Sequence, residues 1–257
     1  MIVSTNGIFN NFPKFKLSLK KHDDFSAFYQ VILENTYEEL FSNIKEGDTV
    51  IDAGANIGAF SVPASKLIGE KGKLISIEPN KDNFSTLKEN VKLNNLKNVI
   101  LVNRAIYHKS NLEINLSGSG VFSKIDENGK GNRIKTITLN DIIDTYKIEP
   151  NIMKMDIEGS ELYALQSAEK ALKTLKHIEM EIHNDSANNK VESILYEFNK
   201  IYKNAETNNF KSIIKMHPVY FMKLELHNRF KTSIRILFSE NKFNLDDYPK
   251  IGYFYKK

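Results

Sequence analysis

The chain has 257 residues, 41% hydrophobic and 26% charged, which suits one α/β domain with additions at its ends and excludes global disorder. Cysteine is absent, so a disulfide scaffold, a thiolate nucleophile and Cys-ligated metal sites are excluded. Of 36 basic residues only Arg104, Arg133, Arg229 and Arg235 are arginine, so the net charge of +4 reflects compositional bias toward lysine and not a dedicated phosphate-binding face.

The first residues lack the apolar run of a signal peptide, and no stretch of about 18 apolar residues occurs. A cytoplasmic protein without a membrane span is expected. Within Asn11–Lys21, polar and apolar residues alternate as in a half-buried strand. A helix is expected over Asp24–Phe41, where apolar residues recur every three or four positions and Asp23 or Asp24 can cap. Gly47-Asp48 breaks that pattern.

A β–α alternation follows. Strands are expected at Thr49–Asp52, Lys73–Glu78, Val99–Asn103, Ile152–Asp156 and Ile178–Ile182, with helices at Ala59–Leu67, Asp82–Asn94, Asn140–Tyr146 and Ser160–Leu175. Such alternation implies a parallel sheet with helices on both faces. Leu112–Leu116 and Arg133–Leu139 read as a hairpin-like excursion whose tip, Ser117–Arg133, is rich in Gly and Ser. The aromatic tail carries apolar runs at Phe210–Met216, Val219–Leu226, Ser233–Phe238 and Ile251–Tyr255, read as antiparallel strands and a substrate lid. The resulting division is an N-terminal extension (1–46), a core (47–201) and C-terminal strands completing the sheet (202–257).

The segment Asp52-Ala53-Gly54-Ala55-Asn56-Ile57-Gly58 runs from a strand into a helix. Gly54 and Gly58 allow a sharp turn and close approach of a ligand to the main chain, and the helix end offers free N–H groups. A dinucleotide fingerprint needs G-x-G-x-x-G. This corner departs from that register and sets a carboxylate, Asp52, where a pyrophosphate would lie. The arrangement suits a cationic ligand such as S-adenosylmethionine. Glu78, with Pro79 and Asn80 at the second strand's tip, is positioned to accept ribose hydroxyls. Pro63 falls inside the following helix, so a kink or delayed start is expected.

The chain resembles the FkbM-type methyltransferases, a branch of the class I S-adenosylmethionine-dependent enzymes. The resemblance rests on DAGANIG at Asp52–Gly58, IEPN at Ile77–Asn80, Phe84, Leu87, Asn90 and Asn94, KTITLND at Lys135–Asp141, KMDIEGSE at Lys154–Glu161 and IEMEIH at Ile178–His183. It implies a Rossmann-like α/β fold: a mostly parallel seven-stranded sheet, helices on both faces, an antiparallel C-terminal strand pair, and S-adenosylmethionine across the first two strand tips. It also implies methyl transfer to a hydroxyl of a sugar or natural product. Cofactor-binding positions are then Asp52, Gly54, Ala55, Asn56, Gly58, Glu78, Pro79 and Asn80, with Asn103, Arg104 and Ala105 near the adenine.

A neutral hydroxyl needs a base or a metal to activate it. Asp156 and Glu158 end the fourth core strand and Glu181 and His183 the fifth, two residues apart in each case, so the four are expected to converge. A metal-free base, His183 or Asp156, is preferred over a divalent cation held by the cluster, and Glu161 reads as a helix cap. Tyr37 and Glu38, with the excursion, are expected to border the pocket for a small-molecule or saccharide acceptor. Nucleic acid is not expected as partner; a homo-oligomer stays open. The rival functions are an RNA ribose 2′-O-methyltransferase, with Lys154 beside Asp156 and Glu181, and a non-catalytic protein that binds S-adenosylmethionine.

Overall fold

The structure is a computed structural model that describes residues 1–5, 13–33, 35–117, 124–126, 132–183, 188–203 and 250–256. Strands β1 (Ile2–Thr5) and β2 (Phe15–Ser18) pair antiparallel. Helix α1 (His22–Phe28) starts after Lys21, and Asp24 reaches back to accept the N–H groups of Lys20 and Lys21. The single helix expected over Asp24–Phe41 is broken. After α1 comes a π-helical turn (Tyr29–Leu33), then Asn35 at φ +54°, then α2 (Glu38–Asn43). Asparagine tolerates that left-handed backbone, and the reversal carries Tyr37 to the strand tips.

The central sheet is built from β3 (Thr49–Ala53), β4 (Lys73–Ile77), β5 (Val99–Val102), β10 (Ile152–Met155), β11 (His177–Ile182), β12 (Phe198–Lys203) and β13 (Lys250–Lys256). Its order is β5-β4-β3-β10-β11-β13-β12. Five neighbours run parallel, while β13 is antiparallel to both β11 and β12. The expected sheet is therefore present, with its antiparallel C-terminal pair. The boundary expected at 201–202 passes through β12. Among the tail strands, Ile251–Tyr255 falls within β13; those at 210–216, 219–226 and 233–238 lie outside the described residues.

Period-two alternation decides the two faces. Ile51, Met153, Met155 and Ile178 pack with α5 (Leu139–Tyr146), α6 (Glu161–Leu165), α7 (Glu169–Thr174) and α8 (Asn188–Ile194). Val50, Leu74 and Ile152 pack instead with α1, α2 and α3 (Ser61–Ile68). Val62 and Ala64 donate to the Gly58 and Phe60 carbonyls, but Pro63 between them has no N–H for that of Ala59, so α3 begins only at Ser61. The delayed start is observed. The helix expected over Ser160–Leu175 splits into α6 and α7, because the Ser167 hydroxyl bonds the carbonyls of Ala164 and Tyr107 and competes with the helical ladder.

The excursion is larger than a hairpin: β6 (Ala105–Ile106), β7 (Glu113–Ser117), β8 (Lys124–Asp126) and β9 (Asn132–Ile137) form a sheet of order β6-β9-β7-β8. Of its expected tip, residues 118–123 and 127–131 lie outside the described residues.

Helix α4 (Lys81–Leu93) follows β4, capped by Asn80, whose side chain accepts from Asp82 and Asn83. Asn90 and Asn94 on this helix act as a substitute strand edge for β2. Asn90 takes the Ser18 N–H and donates to the Ser18 carbonyl, and Asn94 does the same for Lys16. The Asn90 amide also donates to the Ile57 carbonyl at 2.8 Å. One buried side chain thus joins the N-terminal pair to the glycine corner.

Candidate active site

The carboxyl ends of β3, β4 and β10 border an open cleft, lined in part by Gly54, Asn56, Glu78, Arg104, Asp156 and Glu158. Gly54 has φ +81°, and a Cβ there would lie 1.7 Å from the Asp156 carbonyl oxygen. Gly58 has φ +88°, with a would-be Cβ 2.7 Å from Leu87. Both positions require glycine, for conformation and for close packing. Ala55 is buried in the same turn and donates its N–H to the Ile77 carbonyl, while Asn56 takes φ +50°.

Glu78 is placed as expected. One oxygen accepts the Asn56 N–H and the other the Asn80 N–H, each at 2.8 Å. Burial pushes its carboxyl up to about 7, against the pull of those two bonds. Asn103 holds this tip, its amide donating to the carbonyls of Glu78 and Pro79. Arg104 and Ala105 line the cleft.

Asp52 is placed differently from the expectation of a carboxylate facing the ligand. It is fully buried beneath the corner and does not line the cleft. One oxygen accepts the Ser61 hydroxyl; the other, 3.6 Å from the Lys154 ammonium, has no hydrogen-bond partner among the described residues. Burial raises its carboxyl while Lys154 and Ser61 lower it.

The second group of expected residues does converge. Asp156 and His183 stand 3.8 Å apart, Glu158 and His183 3.5 Å. Glu161 accepts from His183 Nδ1 at 3.0 Å and from the Gly159 N–H, so it both braces the turn and orients the imidazole. Glu158 at φ +53° and Gly159 at φ +95° make that turn. Glu181 accepts the Tyr37 hydroxyl at 2.7 Å. This bond ties Tyr37, buried and not among the residues lining the cleft, to the tip of β11.

The charges decide the roles. Burial works to lower the His183 pKa, but Glu161, Asp156 and Glu158 outweigh it and push it up to about 9. A protonated imidazole has no lone pair to offer, which weighs toward Asp156, the other base expected. Burial pushes Glu158 up to about 7, and burial together with Asp156 pushes Glu181 up to about 8. Asp156 keeps one buried oxygen with no hydrogen-bond partner among the described residues. Asp156, Glu158 and His183 could each offer one ligand atom to a metal, all within 4.8 Å of one another; His183 would have to release its proton first.

Of two further buried groups, Lys154 entered from sequence only in the RNA-methyltransferase rival, beside Asp156 and Glu181, and Glu179 not at all. Lys154 donates to the Gly54 carbonyl at 2.7 Å. Glu179, fully buried, accepts the Leu40 N–H at the start of α2. The spacing K-x-D places Lys154 and Asp156 on one side of a strand, the only signal that could have marked the lysine.

The methyltransferase FkbM domain model matches residues 52–223, more than half of the chain. The chain belongs to this family. The FkbM domain is a branch of the class I S-adenosylmethionine-dependent methyltransferases, whose Rossmann-like fold the sheet described above shares. A hexuronic acid methyltransferase, AglP of Haloferax volcanii, is 28% identical over 149 residues, 56% of this chain and 59% of that protein. A tRNA (cytosine(72)-C(5))-methyltransferase of Pyrococcus horikoshii is 34% identical over 93 residues, 35% of this chain and 24% of that one. The chain thus spans less than two thirds of either relative. A solved structure designated an rRNA methylase, from Clostridium thermocellum, superposes with a TM-score of 0.50 at 15% identity, covering 93% of this chain and 98% of that one. The last likeness is one of fold. Among the described residues, no helix is long and apolar enough to cross a membrane.

Proposed function

We propose that this FkbM-family chain is an O-methyltransferase that uses S-adenosylmethionine to methylate a hydroxyl of a sugar or small-molecule acceptor. The observation that carries the reading is Asp156 on the wall of the cleft that the Gly54 corner lines, with one buried oxygen that has no hydrogen-bond partner among the described residues, 3.8 Å from His183. The glycine cradle and the Glu78 carboxyl at the second strand tip fit the adenosyl donor. That donor supplies a methyl group on a sulfonium and departs as a neutral thioether.

The residues divide the remaining work. Glu78 sits where ribose hydroxyls donate, and the Gly54–Gly58 backbone leaves room for the ligand's approach. Asp156 accepts the proton of the acceptor hydroxyl as its oxygen bonds to the methyl carbon. His183, held by Glu161 and charged, stabilises the site's carboxylates and donates toward the acceptor. Similarity to the hexuronic acid methyltransferase favours a sugar hydroxyl over a ribose in RNA, and the scarcity of arginine agrees. Tritiated methyl transfer from labelled donor into fractionated host extract, with and without EDTA, tests the reading. Label in saccharide or small-molecule fractions is expected; label confined to RNA, or no transfer, overturns it.

A further inference from the structure

Lysine is abundant in this chain and belongs on the surface, yet Lys154 is only 4% exposed. Burying an ammonium is costly unless partners surround it. Its partners come from three different segments. The Gly54 carbonyl accepts at 2.7 Å, the carboxyl groups of Asp52 and Asp156 each lie 3.6 Å away, and the Tyr37 ring lies 5.4 Å below. Tyr37 in turn donates to Glu181. One cation therefore touches the glycine corner on the donor side and the carboxylate of the proposed base. Burial alone would lower its pKa, but Asp156, Asp52, Glu181 and Glu78 outweigh that and hold it above the usual lysine value.

Resting on the proposed methyl-donor reading, we infer that Lys154 is a positioning and specificity-determining residue: a built-in counter-charge that sets how strongly the cleft distinguishes the cationic donor from its neutral product. Methyl transfer removes the sulfonium charge from the ligand. A cleft lined by carboxyl groups without an internal cation would hold the sulfonium strongly against the thioether. Lys154 offsets part of that field, and it does so from a fixed place because the Gly54 carbonyl anchors it.

The test is calorimetric titration of the full chain, K154M and K154R with S-adenosylmethionine and with S-adenosylhomocysteine at neutral pH, with circular dichroism as the folding control. In K154M the ratio of the S-adenosylhomocysteine Kd to the S-adenosylmethionine Kd is expected to rise about tenfold or more, the effect of one unit charge about 10 Å away at an effective dielectric constant of about 20. K154R should restore the parent ratio. Equal weakening of both ligands in K154M, with the ratio unchanged, overturns the inference and leaves a purely structural lysine. If K154M does not fold, the parent labelled with 15N-lysine decides, with K154R assigning the signal. The Lys154 Nζ resonance should move further with the sulfonium than with the thioether, and equal shifts overturn the inference. A parent that binds neither ligand overturns the methyl-donor reading itself, and this one with it.

Discussion

The tips of β3 and β4 carry two acids, Asp52 and Glu78, those of β10 and β11 carry four, Asp156, Glu158, Glu161 and Glu181, and the two regions handle them differently. At the first, Glu78 has its oxygens taken by the N–H groups of Asn56 and Asn80, and Asp52 is tied to Ser61. The carboxyl groups there hold the backbone in shape. At the second, Asp156, Glu158 and Glu161 face one imidazole; one Asp156 oxygen, like one Asp52 oxygen, has no hydrogen-bond partner among the described residues. Crowded charges, not backbone donors, set the protonation of that group. On the proposed reading, the first pair of tips holds the donor and the second handles the acceptor's proton.

The sharpest way to break this contrast is Gly54→Ala, because it strikes the point where the two regions touch. The new methyl group would meet the Asp156 carbonyl and the φ of +81° would be strained, so a loss of about 3 kcal/mol or more is expected. Thermal unfolding should show it as a fall of about 6–12 °C, together with lost donor binding. An unchanged melt would show that the corner has room the structure does not have.

Asp156→Asn should spare donor affinity by calorimetry while slowing methyl transfer about 10²–10⁴-fold, the range for loss of a general base. Wild-type turnover in this variant would move the proton to Glu158 or Glu181. His183→Ala should slow turnover less and leave binding intact. It also has a stability signature. With its folded pKa near 9, above the unfolded value of about 6.5, His183 contributes stability that is complete below that unfolded value and vanishes as pH rises through about 9. The raised carboxyl groups of Glu158 and Glu181 act in the same direction, since their native state also holds protons longer. The parent's melting temperature should therefore decline from the acid side of neutral toward pH 9, and the histidine variant should flatten the upper part of that slope.

The smallest effect is expected on the shape-reading side. Asn90→Ala removes the bonds to Ser18 and Ile57 and should cost about 1–3 kcal/mol. Weaker donor binding, although Asn90 does not line the cleft, would show that the N-terminal pair supports the corner; unaltered affinity would confine Asn90 to docking β2.

Much of the site was legible in advance because its residues sit at fixed offsets in a β–α alternation. Asp156 with Glu158, and Glu181 with His183, were found from two-residue spacing at strand ends, and Glu78 from its place at the second tip. Their protonation was not legible. Spacing offered His183 and Asp156 equally as base and did not show that Glu161, read only as a cap, turns its carboxyl group to the imidazole. Asp52 was expected at the ligand and lies beneath the corner, since a strand residue's facing depends on what packs on each side.

Local pattern determined the elements: period-two runs, turns at Gly54 and Gly58, and a cap at Asn80 are properties of neighbouring residues, and the chain order of strands and helices follows from them. Tertiary packing decided the rest. Asn35 and Ser167 broke helices whose apolar periodicity was intact, β13 entered between β11 and β12, and Lys154 went inside. Each outcome depends on partners distant in sequence, and burial, which governs both charge and hydrogen bonding, is a property of the assembled fold.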